Sequence, residues 1–152
     1  MREILFRAKQ IDDGEWVEGY YAMMGVDSLI RHYIVQNCAV TKLFKNPEDN
    51  MYFNDVEIDP ETLCQYTGLN DGNGKRIWEN DIVKHERSDT IGTVKWYQED
   101  YVGWCVDDVM IDEQQFTDEM WNECEVIGNA FDDKHLLDKS DYCREQEKET
   151  EG

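Results

Sequence analysis

Lysine and arginine are missing between Trp96 and Asp133, a stretch that carries twelve acids, among them Asp107, Asp108, Asp112 and Glu113. A protein that holds nucleic acid neutralises phosphates with clustered basic side chains. Here the field has the opposite sign, and the whole chain shares it, with 15 Lys and Arg against 35 Asp and Glu and a net charge of −20. Direct binding to DNA, RNA or an anionic membrane is therefore not expected. The complementary partner is another protein, a basic surface in particular. No apolar run approaches the ~20 residues that cross a bilayer. The opening MREILFRAKQ is charged at Arg2, Glu3, Arg7 and Lys9 and lacks the apolar centre of a secretory signal, so the expected location is the cytoplasm. No pair of cysteines has CxxC spacing. The five (Cys38, Cys64, Cys105, Cys124, Cys143) are irregularly placed, and with His32, His85 and His135 they form no zinc-ligand pattern. They read as reduced and mostly buried thiols, Cys143 being the most accessible. GxSxG, HExxH and P-loop motifs are absent as well. No cofactor and no metal are expected.

What the chain does have is aromatic side chains, 12% of its 152 residues, within a 40% hydrophobic content. That is enough for a packed core, which disordered chains lack. Residues 4–8, 15–22, 29–36, 40–44 and 55–59 read as strands, and 60–67 as a helical turn opened by Pro60. The stretch QYTGLNDGNGKRIWENDIV (65–83) sets Asp71-Gly72 and Asn73-Gly74 between apolar runs, the strongest short-range hairpin signal. Ile77-Trp78, 81–85, 90–97, 102–106 and 125–131 continue the series of short strands, and 134–137 reads as a terminal turn or short helix. The expectation is a mainly β fold. Within it, 76–131 would form a small barrel with Val83, Trp96 and Trp104 in its core. Residues 138–152 carry six acids and three bases with almost nothing apolar, and read as a solvated, flexible acidic tail.

Three blocks, Pro60-Glu61-Thr62, QYTGLNDGNGKRIWENDIV and Glu125-Val126-Ile127-Gly128-Asn129, resemble the signature of the YopX family of phage and prophage proteins. The resemblance covers most of residues 3–137. It implies a YopX-like domain over 1–137, with a β-rich N-terminal subdomain (1–64) and an SH3-like barrel or roll (65–137), in a phage accessory protein of the bacterial cytoplasm. Two positions depart from the family pattern. Asn80 stands where glycine is usual, and Asn is the next-best residue for a left-handed backbone. Ala130 stands where isoleucine is usual.

Asp71, Asn73 and Lys75 mimic the start of a calcium loop, but the position for a bidentate Glu is Ile82, so the segment reads as a turn. Asp55, Glu57 and Asp59 share a strand face about 7 Å apart, too far to hold one ion. Glu79 and Asp81 fall on acidic family positions. Asp81 in particular reads as an acceptor of backbone N–H groups at the start of a strand. Two classes of function remain. The leading one is a non-enzymatic factor that binds and modulates a host or phage protein through an acidic surface containing Glu79, Asp81, Asp107, Asp108, Asp112 and Glu113. Its sharper version is a DNA mimic that occupies the basic groove of a DNA-binding protein. The rival is an enzyme acting on a cationic or metal-bound substrate through Glu79, Asp81 and His85. Self-association is left open by the sequence.

Overall fold

Short apolar–polar alternations become antiparallel strands throughout the residues that the computed structural model describes, 2–36, 55–87, 90–99, 102–108, 114–115 and 122–138. The strand expected at 40–44, Cys38, Asp112, Glu113, Trp121, Cys143 and the tail from 139 onward lie outside them. The described residues are mainly β, and the chain divides into two units, Met1–Gln65 and Tyr66–Gly152. Among the described residues no helix is long and apolar enough to cross a membrane.

The first unit is built on β1 (Phe6–Lys9), β2 (Trp16–Val26), β3 (Leu29–Val35), β4 (Asp55–Glu57) and the start of β5 (Cys64–Asn70), in the spatial order β4-β3-β2-β1-β5. The register sets Ala8 opposite Val17 and Ile34 opposite Val56. These inward positions make a core of Ala8, Val17, Ile34 and Ile58, against which Phe6, Tyr21, Val56 and Leu63 pack. The turn after β4 is shorter than the sequence suggests. Only Pro60–Thr62 is helical, a 3₁₀ turn that Asp59 caps by accepting from Glu61 N–H. From Cys64 onward the chain is strand, because Cys64 and Gln65 pair with Arg7 and Phe6. Ladder bonds and the β-favouring pair Tyr66-Thr67 outweigh the helical start at Pro60.

The second unit holds the rest of β5 with β6 (Arg76–Trp78), and a five-stranded sheet of β7 (Asp81–His85), β8 (Ile91–Tyr97), β9 (Gly103–Asp108), β10 (Gln114–Gln115) and β11 (Cys124–Asn129). Its order is β10-β9-β8-β7-β11, and among the described residues nothing joins the two end strands. The closed SH3-like barrel expected over 65–137 is therefore not formed. The three-residue β6 pairs with β5 instead of extending the sheet. Ile77, Val83, Val94, Val106, Cys124 and Val126 make the core, with Leu69 and Trp104 packed against it. Trp96 is a correction. It sits opposite Trp104, beyond the last apolar pair Val94–Val106, and is 43% exposed, meeting Trp104 edge-on at 5.0 Å between ring centroids. In place of a terminal helix the described chain ends in one 3₁₀ turn, Lys134–Leu137, with no buried residue.

Candidate functional site

The 65–83 block folds around one carboxylate. Asp71 follows β5, is 5% exposed, and accepts three backbone N–H groups: Asn73 and Lys75 on Oδ1 at 2.9 and 2.8 Å, and Val126 on Oδ2 at 3.0 Å. The first two close the turn between β5 and β6. The third reaches 55 residues along the chain to β11. Gly72 adds a second tie, its N–H donating to Cys124 C=O at 3.0 Å. A Cβ there would lie 2.7 Å from Asn122 C=O, so only glycine admits this approach. The hairpin signal and the EVIGN stretch are thus two halves of one brace.

EVIGN is shaped by its own acid. β11 bulges between Val126 and Gly128, and a Cβ on Gly128 would come within 2.6 Å of the Asp133 carboxylate, which accepts from Asn129 N–H at 3.0 Å. Asn129 Oδ1 in turn accepts from Phe131 and Asp132 N–H, both at 3.0 Å, closing the turn that follows. At the other end of the brace, Asp81 is 1% exposed and accepts Trp78 N–H at 2.8 Å. Between them Asn80 adopts φ +63°, the left-handed conformation that the family's usual glycine would supply, and its N–H and C=O bond to Val94 and Ala130.

Glu79, Asp81 and His85 do not converge. Asp81 and His85 are four residues apart on β7, about 13 Å along a strand. His85 Nε2 instead meets Glu123 at 3.3 Å, and Glu123 also pairs with Arg87. Among the described residues no group of three His, Cys, Asp or Glu is placed to hold a metal ion. Cys64, Cys105 and Cys124 are buried thiols that take part in no disulfide. Burial, with the negative charges of Glu123, Asp71 and Glu86 adding to it, pushes the Cys124 thiol up to about 12. It stays protonated at neutral pH and is a poor nucleophile.

The surface acids are arranged differently. Asp107 lies on the outside and pairs with Lys95 at 2.5 Å. Asp108 contributes its backbone to β9 opposite Gly92. Glu79 is half-buried before β7, while Glu99, Glu125 and Asp132 are exposed. Asp81 is too deeply buried to belong to an exterior face. The turn at Asp71-Gly72-Asn73-Gly74 is legible in the sequence, but the tie from Asp71 to Val126, 55 residues on, is not.

A comparison with curated proteins gives no match. A family model described as YopX protein matches residues 5–138. Since that match takes in both Asp71 and the β11 stretch it is bonded to, the chain belongs to the YopX family.

Proposed function

We propose that this protein is a non-enzymatic accessory factor that acts by binding another protein, one with a basic surface, and modulating it in a host or phage setting. The supporting observation is how the carboxylates divide. Asp71 and Asp81 of the 65–83 block are buried and committed to backbone N–H groups, whereas Glu99, Asp107 and Asp132 lie outward in a stretch without a single Lys or Arg. Catalysis needs a nucleophile or base with a partner in reach. The acids best positioned by the fold are instead occupied in holding it together. An acidic exterior steers a basic partner into encounter and is weakened by salt, since exposed charges are screened over ~8 Å at physiological ionic strength.

The test is association kinetics. The tagged chain captures its partner from the producing cells, and the purified pair is then measured with Asp107, Asp108, Asp112 and Glu113 each changed to Lys. The association rate falls by roughly tenfold or more at low salt, and the difference shrinks as salt rises. An unchanged rate removes the acidic surface from the interaction. Duplex DNA is the control, and the native chain does not bind it at physiological salt.

A further inference from the structure

The longest strand of the first unit outruns its sheet. Of the eleven residues of β2, only Trp16–Gly19 pair with β1; β3 meets β4 only at Tyr33–Val35. Tyr20–Ala22 lie opposite the residues of β3 that β4 also pairs, and from Met23 to His32 the β2–β3 hairpin continues as a two-stranded ribbon, joined by the turn at Asp27-Ser28 with Asp27 at φ +53°. Among the described residues no third strand flanks its β2 edge. A lone two-stranded ribbon is at best marginally stable in water, and an open edge is a template for pairing with another chain.

This ribbon is also apolar on both faces. Met23, Met24, Leu29 and Ile30 are 60, 46, 58 and 58% exposed, and Tyr20 is 48% exposed. Register places Met23 diagonal to Ile30 on one face and Met24 diagonal to Leu29 on the other. In a chain of net charge −20, the run from Gly19 to His32 holds two charged residues, Asp27 at the turn and Arg31 opposite Met24, and neither repeats the acid-only character of the exterior.

We infer that this hairpin is a self-association surface, in which the open β2 edge, Tyr20–Gly25, pairs antiparallel with the same edge of a second copy across a two-fold axis. Three observations select a second copy over a foreign partner. An antiparallel edge is self-complementary, as a two-fold interface requires. Homodimer interfaces are apolar and depleted of charge, which is this ribbon's composition and the reverse of the acidic exterior. Tyr20, Met23 and Met24 stand on the pairing strand itself, so an edge-to-edge contact between two copies covers apolar side chains on both of its faces. The hairpin is also where two chains this acidic can touch with the least like-charge repulsion.

The experiment is sedimentation of the full chain over a concentration series, native and with Met24→Lys and Leu29→Lys together. Both side chains are exposed, so the fold tolerates the change, and unchanged circular dichroism confirms it. The native chain sediments as a dimer at micromolar concentration, and the paired variant weakens dimerisation by roughly 100-fold or more. Added salt leaves the native dimer intact or tightens it, the opposite of its effect on acid-driven binding, so the two proposals fail independently. Hydrogen exchange on the native chain reads the same surface without mutation: amides within Tyr20–Gly25 are protected in the dimer and lose protection on dilution, while those of Val17 and Ile34 do not change. A native chain that is monomeric throughout, a variant that dimerises as the native chain does, or exchange in Tyr20–Gly25 that ignores concentration each overturns the inference.

Discussion

A single side chain, Cys124, makes the packing of the second unit visible to titration. Its thiol is raised from 9.0 to about 12, first by burial and then by Glu123, Asp71 and Glu86. Below pH 9 the thiol is neutral in both folded and unfolded chains and has no effect on stability. Above it the unfolded chain ionises while the folded one does not, so stability falls as pH rises from about 9 toward 12, by about 1.4 kcal/mol per pH unit from this group. Urea unfolding from pH 8 to 11 should show a steeper loss in the native protein than in Cys124→Ala; parallel curves would mean the thiol is solvated. Asn80 offers a second residue-level reading, and here the sequence was sufficient. Its left-handed backbone is what the resemblance implies, glycine being usual there and Asn the next-best residue, and it is found at φ +63°. Asn80→Gly should change stability by less than about 0.5 kcal/mol, and Asn80→Val should cost about 1–2 kcal/mol, because a β-branched residue resists that conformation. Equal melting of the two variants would contradict this. Asp81 was legible in the same way, as an acceptor for backbone N–H. Asp71 was not, because its third donor, Val126, is distant in sequence and no local pattern announces it.

At the scale of elements, the strands themselves were readable and their ends were not. β7 is buried at Asp81, Ile82 and Val83 in succession. A strand covered on both faces carries no alternation, so periodicity could say that a strand was present without saying which face was inward. Residues 60–67 read as a helical turn because Pro is tolerated at a first helical position, whereas the pairing of Cys64 and Gln65 with β1 is a tertiary fact. β2 runs four residues past the expected end at 22, through Met23, Met24, Gly25 and Val26, of which only Val26 has a strong strand preference of its own. The two facing tryptophans test the end of the β8–β9 ladder. Trp104 packs on the core and Trp96 covers only its edge. Trp104→Ala should therefore cost about 3 kcal/mol and Trp96→Ala about 1 kcal/mol in urea unfolding. A larger loss at Trp96 would place the core on the wrong side of that pair.

For the whole molecule, composition is the ground of the proposal: a net charge of −20 argues for a basic protein partner rather than nucleic acid. Composition could not sort structural acids from surface acids, because that distinction is made by burial. Folding turns Asp71 and Asp81 of the 65–83 motif inward, while Glu99 and Asp132 are exposed. The most direct measurement is the unfolding free energy of Asp71→Asn beside Asp107→Asn. If Asp71 braces β5, β6 and β11, its amide loses charge-assisted bonds to three N–H groups and costs about 2–4 kcal/mol. Asp107, an exposed partner of Lys95, costs less than about 1 kcal/mol. The opposite result, an Asp71→Asn protein as stable as the native chain, would show that the motif's carboxylate is not a structural brace and would return it to the list of functional acids.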